Sequence, residues 1–307
     1  MEQLGQDVRF GLPMIRKSPG FAVAAILTLA LGIGGTTAIF SFVDAVLLEP
    51  LPFPEAERIV NVWEKPPGGD RNGISTLNFL DWKRQNTVFT AMAAQTWSSA
   101  TLTDTDVPVE LRNGRVSAPY FEIFGAKPML GRTFAVDEDQ PGKQYVLVLS
   151  HRVWQNRFGA DPKIIGRSIR LNGAQHTVIG VMPPGTYDRE WQDVWTPLAF
   201  KAEEMTRDYH WMISWARLKP VVTLDQAREQ MKSIAAQIEQ GYSKSNQGWS
   251  AAVCRYKDSV VDKDLRQSLL VLLAAVGAVL LIGCVNLANL LLVRGAGRER
   301  EVAVRSA

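Results

Sequence analysis

The stretches FAVAAILTLALGIGGTTAIFSFV (residues 21–43) and LLVLLAAVGAVLLIGCVNLANLLLV (residues 269–293) hold no charged side chain over 23 and 25 residues. At a rise of 1.5 Å per residue each makes a helix of roughly 35 Å, slightly longer than the ~30 Å hydrocarbon layer of a bilayer. Both runs are long enough to span. The 307-residue chain is 46% hydrophobic and 21% charged, so its mean hydropathy of −0.04 averages two oily rods with polar material. That distribution excludes a simple soluble enzyme. A secretory signal is the competing reading of the first run. Its uncharged core is too long, and Phe42, Val43, Val46, Leu47 and Leu48 continue it where a cleavage site and polar start would stand, so a retained anchor is favoured.

Charge sets the threading. Residues 44–268 hold 27 basic and 27 acidic side chains, whereas the two ends hold seven basic residues (Arg9, Arg16, Lys17, Arg294, Arg298, Arg300, Arg305) against four acids. Two spans put both ends on one side, and basic flanks mark that side as cytoplasmic, which leaves the middle segment outside. Arg255, Lys257, Lys263 and Arg266 precede the second run on the outer side, with Asp258, Asp262 and Asp264 among them. A pI near 8.8 is accounted for by topology and headgroup contact, so nucleic acid is not an expected partner. Cys254 and Cys284 fall in different environments, and no disulfide is expected.

Leu4, Val8, Leu12 and Ile15 predict a cytoplasmic interfacial amphipathic helix over 1–19, weakened by Pro13, with Ser18, Pro19 and Gly20 as an elbow into a span over 20–48. Ala30, Gly34 and Ala38, four apart, form a small-residue stripe for helix packing. All nine tryptophans fall between Trp63 and Trp249, which indicates a packed domain over 49–265. Ile59 to Trp63 reads as a strand, Ser75 as the start of a helix through about Ala94, and Trp97–Leu102 and Val107–Val116 as strands. Trp211–Leu218 alternates like a strand, Thr223 and Gln226 form a capping box, and Trp249–Cys254 reads as a strand. Strand, helix, strand at both ends predicts a split βαβ lobe, with a β-rich lobe inserted over about 117–208 that contains a hairpin at Asn172 and Gly173. The expected fold class is an α+β membrane protein: two transmembrane helices flanking a two-lobed α+β extracytoplasmic domain.

Catalytic and cofactor patterns are wanting. Gly142 and Lys143 lack the remainder of a phosphate loop, His151, His176 and His210 lack metal-ligand spacing, and Asp137, Glu138 and Asp139 are followed by Gln140, Pro141 and Gly142 instead of alternating oxygen ligands. No G-x-S-x-G elbow is present. No cofactor and no enzymatic role are expected. In the second span (266–293), Asn286 and Asn289 share a helix face and need hydrogen-bond partners in hydrocarbon, which a neighbouring helix can supply. Residues 294–307 carry Arg298, Glu299, Arg300, Glu301 and Arg305 on a helix-prone stretch that stops without a third apolar run, so the chain is expected to be cut short.

These residues resemble the permease subunits of MacB-like and FtsX-like ABC transporters, in particular the duplicated permeases of Acidobacteria and related bacteria. The resemblance runs over Arg16 to Phe21, Thr28 to Gly34, Thr37 to Ser41 and Leu51-Pro52-Phe53-Pro54. It continues through Tyr120-Phe121, Gly131-Arg132-Thr133-Phe134, Trp154, Phe158-Gly159, Asp161-Pro162, Ile165-Gly166-Arg167, Leu171-Asn172-Gly173 and Val178 to Pro183, which are similar to a MacB-type periplasmic core domain. Asn286 to Leu292 and Arg300 to Arg305 are similar to the second helix and the start of the cytoplasmic coupling segment. Pro13 and Val221 depart from the pattern, and such permeases have at least four spans, so this chain holds half a unit.

The resemblance implies an inner-membrane, multi-pass location with the central domain periplasmic. The implied partners are a separate cytoplasmic ABC ATPase, a second permease copy, the bilayer and a periplasmic adaptor. It implies that ATPase-driven motion passes through the helices for export or envelope mechanotransmission. Arg298, Glu299, Arg300, Glu301 and Arg305 would contact the ATPase, and Ala30, Gly34, Ala38, Asn286 and Asn289 would pack helices. The alternative is a membrane-tethered binding or adaptor module without transport activity.

Overall fold

The computed structural model describes residues 19–44, 51–103, 107–185, 192–260 and 263–306, so the predicted interfacial helix lies almost wholly outside the described residues. The chain forms two units: one holds the long helices α1 (Pro19–Val43) and α8 (Lys263–Ser306), and the other is Leu51–Val260. Each helix contains a window long and apolar enough to cross a membrane, Ile26–Val43 in α1 and Leu265–Asn286 in α8. The stretch over 294–306, expected as the start of a coupling segment, is helical. It continues α8 unbroken, because nothing from Lys263 to Ser306 interrupts the backbone ladder and Gly295 and Gly297 alone do not break a helix.

Within the helical unit, α1 turns its less exposed residues Leu29, Gly32, Thr36, Ile39 and Val43 toward α8, and α8 offers Leu269, Leu273, Val276, Leu280 and Gly283. Steps alternating between three and four are the pattern of a left-handed helix seam. Glycines set the closest approach: a Cβ on Gly32 would meet Leu280 Cδ1 at 2.8 Å, and one on Gly283 would meet Thr28 Cγ2 at 2.9 Å. The register is antiparallel, with Gly35 nearest Val276 and Gly32 nearest Leu280.

The domain begins with β1 (Ile59–Lys65), β2 (Ile74–Ser75), α2 (Thr76–Gln85), β3 (Phe89–Leu102) and β4 (Val109–Val116). The helix expected to run to Ala94 stops at Gln85. Asn86 takes extended backbone and its Nδ2 donates to the Trp82 and Lys83 carbonyls, closing the helix so that Phe89 and Met92 join a strand instead. Ser75 does occupy the N-cap, but its hydroxyl is spent elsewhere. A one-turn helix α3 (Tyr120–Ile123) follows, then β5 (Leu130–Gly131), β6 (Val146–Leu149), α4 (His151–Phe158), β7 (Ser168–Leu171), β8 (Ala174–Val181) and β9 (Val194–Pro197). The β7–β8 hairpin turns on Asn172 and Gly173, both at positive φ (49° and 80°), as a two-residue type I′ connection requires. The chain ends the domain with β10 (His210–Leu218), α5 (Leu224–Gly241), α6 (Ser243–Asn246), β11 (Ser250–Arg255) and α7 (Tyr256–Val260).

Among the described residues the strands run β11-β1-β10-β3-β4-β9-β6-β8-β5, with β2 beside β10 and β7 bridging β3 and β8. β1 lies between β10 and β11, antiparallel to both, so the two ends of the domain close on one another. α2 and α5 cover one face of this part, where Val60, Val62, Phe79, Trp82, Met231 and Ile234 form a core. Thr223 and Gln226 do form the reciprocal capping box of α5. A second core fills the β-rich part between β6, β8 and α4, around Leu147, Leu149, Trp154, Ile169 and Val178.

Candidate coupling site

Two clusters of the domain go beyond ordinary core, and both join segments far apart in sequence. The first is aromatic and gathers around α3. Tyr120 and Phe124 are four residues apart and share a face, while Phe121 points to another side of the same turn. Tyr120, Phe121 and Phe124 are each only 1% exposed. Phe53, just inside the start of the domain, packs on Phe124 at 5.2 Å and on Tyr256 of α7 at 5.8 Å between ring centroids. Phe124 meets Tyr120 at 5.1 Å and Tyr256 at 5.7 Å, and Trp215 of β10 meets both Tyr120 and Phe124. On the other side Phe121 meets Trp195 of β9 at 5.7 Å and Phe134 at 5.8 Å.

Polar contacts pin the same turn. Arg217 Nε donates to the Ile123 carbonyl at 2.8 Å and its Nη2 donates to the Pro54 carbonyl at 3.0 Å, so one guanidinium joins β10, α3 and the incoming segment. Burial, then the neighbouring Arg58 cation, pull the Arg217 pKa below its ordinary value. Gly125 has φ +66°, and a Cβ there would meet Pro54 Cγ and Cδ at 3.0 and 3.1 Å, so glycine satisfies both the backbone and the proline. The outgoing side is held by Ser259, whose hydroxyl donates to Asn61 Oδ1 of β1.

The second cluster is polar and buried. Glu64 Oε1 accepts from Ser75 N (3.1 Å), Ser75 Oγ (3.0 Å) and Asn78 Nδ2 (2.8 Å), and Oε2 faces His210 Nδ1. Arg207 donates to Asn78 Oδ1 and, at 2.5 Å, to Asp81 Oδ2, and its guanidinium lies 3.8 Å from the centre of the Tyr242 ring. His210 stacks on Trp249 at 4.2 Å. Asn78 Nδ2 also donates to Asn246 Oδ1 of α6 at 2.7 Å, so the network ties β1, β2, α2, β10 and α6 together, and three donors converge on Oε1 of the buried carboxylate.

Neither cluster has the nucleophile and base geometry of an active site. Burial pushes the half-buried Cys254 thiol up, away from thiolate chemistry. In the acidic turn, Glu138 is held below the usual carboxylate range by its hydrogen bonds from Arg132, and Asp137 by Lys143. Asp139 accepts from the Ala118 amide, so these three acids serve the turn. Among the described residues no three His, Cys, Asp or Glu side chains converge as metal ligands.

The sequence-predicted helix-packing residues are exposed. Ala30, Gly34 and Ala38 lie on the side of α1 turned away from the α8 seam, and nothing comes within 4 Å of a Cβ built on Gly34. Asn286 and Asn289 likewise stand exposed on α8, off the Leu269–Gly283 seam. Arg298, Glu299, Arg300, Glu301 and Arg305 fall in the last turns of α8, and their side chains lie outside those described. Sequence reading missed the aromatic and Glu64 clusters. Their only local sign was the spacing of Tyr120, Phe121 and Phe124, and the single acid within the hydrophobic β1 run.

The sequence pattern of the MacB-like periplasmic core domain matches residues 22–234. The chain belongs to this family. A relative of this MacB-like chain, named as a syringafactin export ATP-binding/permease protein, SyfD, of Pseudomonas syringae pv. tomato, is 26% identical over 212 residues, covering 66% of this chain. The chain spans 30% of that protein's length. Among solved structures, a domain described as that of a permease protein from Porphyromonas gingivalis superposes with a TM-score of 0.51 at 15% identity, covering 67% of this chain and 93% of that one. The periplasmic region of MacB from Actinobacillus actinomycetemcomitans gives 0.50 at 14% identity, covering 73% and 95%. At these identities the superpositions establish the shared fold of the mixed α+β, β-rich domain, which in this chain is flanked by two apolar helices.

Proposed function

We propose that this chain supplies the permease side of a MacB-like ABC transporter in the inner membrane. In this reading α1 and α8 are spans, the Leu51–Val260 domain is periplasmic, and both chain ends are cytoplasmic. A separate ATPase binds the end of α8 through Arg298, Glu299, Arg300, Glu301 and Arg305. Its motion passes along the helices to the domain for export or envelope mechanotransmission. The observation that carries the reading is the family match over residues 22–234 in a chain whose two apolar helices bracket that domain. A continuous helix suits the task because its hydrogen bonds are internal and independent of lipid.

The remaining outward faces fit further helices. Ala30, Gly34 and Ala38 on α1, and Asn286 and Asn289 on α8, lie off the α1–α8 seam and would take spans of a second copy or of a longer permease.

Affinity purification from native membranes in mild detergent tests the proposal, with ATP hydrolysis in the eluate as the readout. The wild-type chain is expected to bring vanadate-sensitive hydrolysis with it, and Glu301→Lys to lose it. A chain that carries no ATPase, or that alkaline carbonate strips from vesicles, refutes the permease reading and favours a tethered module.

A further inference from the structure

The aromatic cluster has a property that the other cores of the domain lack: it contacts both ends of the domain and the β-rich part at once. From the ends, Phe53 and Tyr256 meet Phe124; from Phe124 the rings pass through Tyr120 to Phe121; from Phe121 they reach Trp195 and Phe134. Every step lies between 5.1 and 5.8 Å, within the range of packed edge-to-face or tilted pairs. The backbone leads from the ends into β1, which begins at Ile59 a short turn after Pro54, and β11, which ends at Arg255 beside Tyr256, and these two strands pair with each other. The β-rich strands β6, β8 and β5 lie beyond β10, β3, β4 and β9 along the sheet.

We propose that α3 is the mechanical node of the domain: it receives displacement of the domain's two ends through Phe53, Pro54 and Tyr256, and passes it through Phe121 to Trp195 and Phe134. Three features suit the turn to that task. Its rings are close-packed, and a protein interior at crystal-like density transmits strain instead of absorbing it. Gly125 leaves Pro54 no slack. Arg217 holds the Ile123 and Pro54 carbonyls on a single rigid guanidinium, so the incoming segment and α3 move as one piece. Phe53, Arg217 and Phe121 are therefore positioning residues for the transmission step. The inference deepens the permease reading and rests on it for its purpose, but not for its test.

Hydrogen exchange read by mass spectrometry on the whole chain in nanodiscs supplies that test, using Phe53→Ala, Met231→Ala and the pair Phe53→Ala/Phe121→Leu. Phe53 is only partly buried, so its truncation leaves the domain folded. Phe53→Ala is expected to speed exchange about tenfold at residues 130–135 and 194–197 while residues 224–238 stay within about twofold, because local opening follows local packing. Met231→Ala, in the core under α5, is expected to show the opposite distribution. In the Phe121→Leu background the distant response to Phe53→Ala is expected to vanish, since the connecting ring is gone.

A response to Phe53→Ala confined to residues 51–58 and 120–125, or spread equally into α5, overturns the node. So does a distant response that survives Phe121→Leu. The measurement requires no ATPase, so a relay seen in a chain that brings down no ATP hydrolysis removes the permease reading and leaves the node. ATPase association together with a purely local exchange response removes the node alone.

Discussion

Replacing Glu64 by alanine is the substitution whose cost the structure fixes most directly. The residue is 1% exposed, three donors converge on Oε1, and His210 occupies Oε2. Alanine would strand the Ser75 amide and hydroxyl and the Asn78 amide in a buried site, and would remove the carboxylate beside His210. Each donor stranded in a buried site costs about 1–3 kcal/mol. These contributions overlap in one network, and water entering the vacated space offsets part of them, so the expected loss is about 4 kcal/mol. Glutamine keeps an acceptor for Ser75 and Asn78 and loses only the charge-assisted part, about 1–2 kcal/mol. Urea denaturation of the detergent-solubilised chain, followed by tryptophan emission, measures both, because all nine tryptophans lie between positions 63 and 249 and report on the domain alone. A cycle with His210→Ala should give a coupling of about 1–3 kcal/mol. If Glu64→Ala and Glu64→Gln cost the same, or if the cycle is additive, the carboxylate does not organise this network and the reasoning fails.

Three further outcomes follow from the geometry. Thr223→Ala removes the side chain that accepts from the Gln226 amide at the start of α5 and should cost about 1 kcal/mol by the same denaturation assay, with Thr223→Ser nearly neutral. Burial lowers His176 below its ordinary 6.5, so the folded state disfavours the imidazolium. Its contribution to stability is complete above 6.5 and is lost as pH falls from there through the folded pKa, so a pH titration of stability in His176→Gln should be flatter in that window. Gly32→Val should disrupt pairing of α1 with α8, since even a Cβ meets Leu280 at 2.8 Å, whereas Gly34→Val should leave it intact; cysteine crosslinking between positions 43 and 269 reads the difference.

What the sequence made legible was local. The Asn172–Gly173 hairpin and the Thr223–Gln226 cap are settled within a few residues, and both appear as read. The two apolar runs declare themselves by length alone. The helix at Ser75 was overextended because Phe79, Trp82, Phe89 and Met92 keep a plausible helical spacing, and only the Asn86 side chain folding back on its own turn reveals the stop. Clusters assembled by tertiary pairing left almost no trace. Asn78 meets Asn246 across 168 positions and Arg207 across 129, and Phe53 meets Tyr256 only because β1 and β11 are neighbours. The residues of α1 that face α8 were not legible for a related reason: every face of an apolar helix offers small residues, and it is the partner that places Gly32 and Gly35 at this seam.

Each unit, taken by itself, presents its two connections side by side. In the helical unit the seam ends at Val43 and Leu269, each 5% exposed on opposing helices of an antiparallel pair. In the domain the pairing Val60↔Arg255 sets the start of β1 against the end of β11, and Phe53 touches Tyr256 just outside it. Within the domain, a displacement of Phe53 against Tyr256 acts on two residues already in contact. A pair packed that tightly is stiff, and it must either shear the β1–β11 ladder or hand the displacement on. The ladder holds six residue pairs from Val60↔Arg255 to Lys65↔Ser250 and resists shear as a unit. The rings of α3 offer the other path, because their close packing carries a displacement onward while strand register slips only in whole residues.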